Sequence, residues 1–191
     1  MRRFLLLGSS AVLAASGGFW RPPVPGAPAL QAVHGEVFQK FATDYLRLTF
    51  YADPVALKAR PRGIGARAAL LRGDVWCARR AVVLQEIGGA RRAEGLRAQL
   101  RAHWPEGPFD EARPAVRRLL AFSSAPLEVG DHLDYVWVPG GRVHLRRGQG
   151  SWLVLSDPPL VRALLRIAFD NELDPGRQAL DRALESAVPR P

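Results

Sequence analysis

Gly130-Asp131-His132-Leu133-Asp134-Tyr135-Val136-Trp137-Val138-Pro139-Gly140-Gly141-Arg142-Val143-His144-Leu145-Arg146-Arg147 is the stretch on which the fold turns. Glycine and proline mark its joints, and β-branched and aromatic residues fill the spans between them, a pattern that predicts strand, tight turn, strand. A second glycine-rich joint, Gly148-Gln149-Gly150, leads to a short third strand around Trp152-Leu153-Val154-Leu155. A helix is predicted immediately afterwards. Asp157 can cap it, Pro158 and Pro159 fit a first turn that needs no amide hydrogens, and Leu160, Leu164, Ile167 and Ala168 fall on one face.

The two faces of the predicted hairpin differ in character, and loop length decides how they combine. With a two- or four-residue loop at 139–142, Val136 and Val138 share a face with Val143 and Leu145, while Tyr135 and Trp137 share the other with His144 and Arg146. An odd loop flips one strand against the other. In the even case the aliphatic face lies on helices. The aromatic and basic face then either lines a cleft or stands half buried beside solvated arginines.

Working outward, 191 residues suffice for one domain with its own core and a preceding segment. Cys77 is the only cysteine, which excludes an internal disulfide and a Cys-rich metal site. The net charge of +9 would point to nucleic acid if the basic residues were massed, but they are spread along the chain. All of them except Lys40 and Lys58 are arginine, the composition expected of GC-rich coding, and no nucleic-acid partner is predicted.

At the N-terminus, Arg2-Arg3 precedes a short apolar run that ends in small residues near Ser16-Gly17, the pattern of an export signal covering 1–17. The run is too short for a permanent membrane anchor. Arg2-Arg3-Phe4-Leu5 resembles a twin-arginine signal without its usual spacer. The expected location is therefore outside the cytoplasm, periplasmic or secreted. Residues 18–33 carry Pro22, Pro23, Pro25 and Pro28 and are predicted to form an extended, poorly packed tether, with the domain spanning 34–191.

Within that domain, Leu46, Leu48 and Phe50 alternate with Arg47, Thr49 and Tyr51 as in a half-buried strand. Residues 63–71 and 74–85 are predicted to be two adjacent strands turning at Arg72-Gly73-Asp74, which would set Arg67 on a strand, a natural place to hold a carboxylate. The Gly63 and Gly65 pair lacks the other elements of a phosphate loop. Helical periodicity over 89–104 and 110–122 follows, with a last helix starting at Asp174-Pro175 and stacking Leu180, Leu184 and Val188. The fold class expected is α+β, an antiparallel sheet covered on one face by helices.

Gly130-Asp131, Val138-Pro139-Gly140-Gly141, and 157–170 followed by 180–184 resemble the bacterial members of the chalcone isomerase-like family, an open-faced β-sandwich with a ligand cleft between sheet and helices. The family's Gly-x-Gly-x-Arg pattern falls on Gly63, Gly65 and Arg67, or else Gly35 and the strand ending in Phe50-Tyr51 takes that place and the Arg is missing. The resemblance implies either an isomerase cyclising chalcones or a fatty-acid binder whose strand Arg and Tyr hold the carboxylate. The isomerase needs a ring of hydroxyl and amide donors, and this chain has only Thr43, Thr49 and Asn171 to offer beside its tyrosines. The favoured expectation is a non-catalytic binder of small amphipathic or carboxylate ligands, with candidate ligand residues Arg67, Tyr51, Tyr135 and Trp137, no catalytic residue, no cofactor and no metal. A scaffold without a cleft is the third possibility. His132, Asp134 and His144 come closest to a metal set, but even pairing of the hairpin separates them.

Overall fold

The computed structural model describes residues 10–13, 18–40, 43–169 and 177–187. Their organising feature is an antiparallel sheet of β1 (Ser10–Leu13), β2 (Phe19–Trp20), β3 (Leu30–Lys40), β4 (Thr43–Ala52), β5 (Cys77–Val83), β6 (His132–Val138), β7 (Arg142–Arg147) and β8 (Leu153–Leu155). Its order is β1-β3-β4-β5-β6-β7-β8, with β2 pairing β3 beside β1. Six helices accompany it among the described residues: α1 (Pro54–Lys58), α2 (Ala66–Leu71), α3 (Gly89–His103), α4 (Pro114–Ser123), α5 (Pro158–Phe169) and α6 (Arg177–Ala187). The fold class matches the expected α+β arrangement.

Alternation along the strands gives the sheet two unlike faces. The inner face carries Phe50, Ala52, Cys77, Ala81, Val83, Leu133, Tyr135, Trp137, Val143 and Leu145, and packs with buried residues of the helices into one large core. α5 supplies most of the roof, with Leu160, Leu164, Leu165, Ile167 and Phe169 buried. Asp157 caps it as predicted, accepting from Leu160 N at 3.1 Å, and is held in turn by Arg113 Nη2 at 2.7 Å.

The hairpin resolves to the odd case. Val138 pairs Arg142 and Trp137 pairs Val143, leaving a three-residue loop, Pro139-Gly140-Gly141, whose glycines take φ of 90° and 78°. Only glycine adopts such a pair of angles without strain. The even-loop assignment of faces is thereby corrected: Tyr135 and Trp137 turn inward with Val143 and Leu145, and Val136 and Val138 turn outward with His144 and Arg146.

Two further expectations are overturned. Residues 63–71 are not a strand: Ala66–Leu71 is a short helix, α2, because the run Ala-Arg-Ala-Ala-Leu-Leu consists of strong helix formers with no β-branched residue. Nor is 18–33 a loose tether. Phe19 and Trp20 pair with Gln31 and Leu30, and Val24 and Leu30 are buried against Ala78, Val136 and Val138 on the outer face. The prolines shape a compact cover there, and the first long strand begins at Leu30, ahead of the predicted boundary. Asp174 and Pro175, the predicted start of the last helix, lie outside the described residues.

Candidate functional site

One cross-strand row on the inner face runs His34, Phe50, Arg79, Tyr135, Leu145. Its central member, Arg79, shares the core-facing side of β5 with Cys77, Ala81 and Val83. Its guanidinium lies 5.0 Å from the centre of the Tyr135 ring. Trp137, next on the same face of β6, stacks on Tyr135 at 6.0 Å, and Phe169 of α5 meets the edges of Trp137 and Phe50 at 5.6 and 5.7 Å.

From the helical side Arg92 of α3 reaches into the same neighbourhood. Its Nη2 donates to the Phe122 carbonyl at 2.8 Å. Burial lowers its pKa, and the charges of Tyr135, Arg147 and Asp131 bear on it in that order. Arg147 is already paired to Asp131 at 2.8 Å. Three buried donors around Tyr135 have no acceptor among the described residues: Arg79 Nε, Arg92 Nη1 and Trp137 Nε1. Buried polar groups are ordinarily satisfied. Unmet donors on two guanidiniums and an indole near one tyrosine ring are groups that an anionic acceptor would satisfy.

Two of the four residues singled out from the sequence, Tyr135 and Trp137, meet here. The other two lie elsewhere. Arg67 is on α2, where its Nε stands 3.2 Å from Asp181 of α6. Tyr51 is on the outer face, its ring 5.2 Å from Trp20, half buried, with its pKa raised chiefly by that burial. The residues the sequence reading passed over are Arg79 and Arg92. For Arg79 a signal existed, since it occupies an apolar alternation; for Arg92, one arginine among several on a helix, there was none.

The outer face holds a second polar arrangement of a different kind. Asp134, 1% exposed, accepts from Arg80 Nε at 2.7 Å, Arg80 Nη2 at 3.2 Å and Arg146 Nη2 at 3.0 Å. Arg80 lies 4.1 Å from the Trp20 ring centre and Arg146 4.6 Å from that of Trp152, so the carboxylate is the middle of a five-membered ladder. The odd hairpin loop does bring His132, Asp134 and His144 to one face. Asp134 is committed to its arginines, and among the described residues no group of three His, Cys, Asp or Glu side chains is placed to hold a metal. Cys77 is fully buried and its thiol pKa is pushed up, so it is no nucleophile.

No family model matches the chain, and no curated protein matches it. Among solved structures it is similar to the crystal structure of a fatty-acid binding protein from Arabidopsis thaliana, with a TM-score of 0.57 and 15% identity over 94% of this chain and 90% of that one. The fold is chalcone isomerase-like. At that identity the likeness concerns the path of the backbone. The chalcone isomerase-like architecture leaves the inner face, between sheet and helices, as the place where Arg79, Arg92, Tyr135 and Trp137 gather.

Proposed function

We propose that this chain is an exported, non-catalytic binder of small amphipathic acids, fatty acids among them, with the acid group held at Arg79, Arg92 and Trp137 and the tail laid along the inner face. The observation that carries the proposal is the set of three buried donors around Tyr135 that have no acceptor among the described residues. The name of the structurally similar plant protein supports the same ligand class. Arg79 takes the part that the sequence alone suggested for Arg67.

The energetic division of labour is simple. Each buried methylene is worth about 0.8 kcal/mol, so a ten-carbon tail offers roughly 8 kcal/mol before ordering costs. A charge-assisted hydrogen bond adds about 1.5 to 3 kcal/mol. The tail supplies affinity and the guanidiniums choose the sign of the head. Catalysis of the isomerase kind would need hydroxyl donors at the head site. Thr49 points to the opposite face, in the row of Arg80 and Asp134.

Isothermal titration with a panel of saturated acids from decanoate to octadecanoate tests the proposal. Binding should be found, Arg79→Gln should weaken it by about tenfold or more, and Arg67→Gln, at a side chain turned to Asp181 of α6, should leave it as it is. Failure of every acid in the panel to bind the wild-type protein would overturn it. Export is checked separately, by finding in the native host whether the chain outside the cytoplasm lacks residues 1–17; such cleavage would take the edge strand β1 from β3 and leave the rest of the sheet paired.

A further inference from the structure

Further along the inner face lies a polar pair that the head-group site does not use. His34 and Glu36 of β3 are 2% and 3% exposed. Both face the helices because of an irregularity in the pairing of β3 with β4 between Ala32 and His34. Before it, Leu30 belongs to the outer cluster; after it, the even-numbered residues face inward, His34 opposite Phe50 and Glu36 opposite Leu48. Such an irregularity re-aims side chains and is a feature often found beside binding sites.

The pair is not self-sufficient. His34 Nε2 and Glu36 Oε2 are 3.4 Å apart, within ion-pair range, yet Nε2 has no hydrogen-bond partner among the described residues. The His34 ring centre lies 5.8 Å from that of Phe50, so an aromatic ring bounds it on that side. Burying an imidazole nitrogen without a hydrogen bond is unfavourable, and a group that met it beside the Glu36 carboxylate would relieve it.

The register gives the position of that group. His34, Phe50 and Arg79 are consecutive in one cross-strand row. Neighbouring strands are about 4.8 Å apart, so the backbone at His34 is roughly 10 Å from that at Arg79. The Arg79 guanidinium leans over Tyr135 on the next strand, so the head lies two to three strand spacings from His34, roughly 10 to 14 Å; at about 1.2 Å per bond along an extended chain that is roughly eight to twelve bonds. We infer that the ligand is a hydroxylated acyl chain, anionic at Arg79 and carrying a hydroxyl about eight to twelve carbons away that hydrogen-bonds to His34 and Glu36. A hydroxyl donates and accepts at one atom and so matches a carboxylate and an imidazole nitrogen side by side. A second carboxylate would be repelled by Glu36, and a ketone could not donate to it. The inference rests on the inner face being the ligand site.

The test is titration of the wild-type protein with dodecanoate and with a series of hydroxydodecanoates whose hydroxyl is moved one carbon at a time from head to tail. Affinity should peak with the hydroxyl in the distal part of the chain, about eight or more carbons from the acid, at least tenfold tighter than for dodecanoate, and His34→Phe should flatten the series to a common Kd. His34→Gln, which keeps a polar terminus, should retain a weakened preference. If dodecanoate binds as tightly as every isomer, the hydroxyl inference is overturned while the acid-binding reading stands. If neither dodecanoate nor any isomer binds, both fall together.

Discussion

Arg79 and Arg80 are neighbours in sequence with opposite fates, and the difference is a matter of which way a strand residue points. Arg80 is clamped bidentately by Asp134, whereas Arg79 has no carboxylate partner among the described residues and faces rings instead. Because Asp134 is almost wholly buried between two arginines, removing it strands their charges. Asp134→Ala should therefore lower stability by about 2 to 4 kcal/mol, less than a fully buried triad because Arg80 is partly exposed, measured as a shift in the urea midpoint. His144 gives a pH test. Burial foremost, then the charge of Arg142, holds its pKa below the usual 6.5 in the folded chain. The unfolded chain therefore takes up its proton first. The stability that the neutral ring supplies is complete above 6.5 and is lost as the pH falls through that value towards the folded pKa. Urea midpoints taken near neutrality and near about pH 5 should fall further for wild type than for His144→Gln. For Cys77, Ellman's reagent should find no reactive thiol until the protein is unfolded.

What could be read from the sequence at the level of elements followed from local chemistry, and what could not depended on pairing. The alternation at Leu46, Leu48 and Phe50, the capping by Asp157 and the glycine-led hairpin are written in neighbouring residues, and all three appear in the structure. The face on which Tyr135 lies depends on whether the loop holds two residues or three, and the inward turn of His34 depends on an irregularity that no residue type announces. Arg67 was misplaced because α2 was taken for the partner of the strand that follows, although its six residues favour a helix. One close approach gives a sharp prediction. A Cβ at Gly89, the first residue of α3, would stand 1.7 Å from the Ser124 carbonyl oxygen and 2.9 Å from the Ala125 carbonyl carbon. Both are backbone atoms and cannot rotate away. Gly89→Ala should separate the start of α3 from the end of α4 and cost at least the upper end of the ~1 to 3 kcal/mol typical of overpacking, seen in thermal unfolding. Gly88→Ala, one residue earlier with open space around it, is the control.

Across the whole molecule the sheet separates two environments, a large core under the helices and a small one under residues 20–30. α6 is joined to the first of these by Leu180 and Leu184, and also by ions: Glu185 accepts from the Ala66 amide at 3.0 Å and pairs with Arg60 at 3.0 Å, while Asp181 faces Arg67. Ion pairs at partly exposed positions weaken as salt is added, whereas apolar contacts do not. Hydrogen exchange in rising salt should quicken first in α6 and leave α5, held by buried leucines, protected. If the inner face takes an acid as proposed, saturating ligand at about a hundred times Kd should stabilise the whole chain by about 2.7 kcal/mol, visible as a raised Tm.

The placement of the indoles has an optical consequence. Trp137 is shut away from water among rings on one side of the sheet, while Trp20 and Trp152 sit against guanidiniums on the other. A shielded indole emits at shorter wavelength than one partly in contact with water. An acid arriving beside Tyr135 should therefore change the blue edge of the emission spectrum and spare the red, so that the chain reports its own occupancy without a dye.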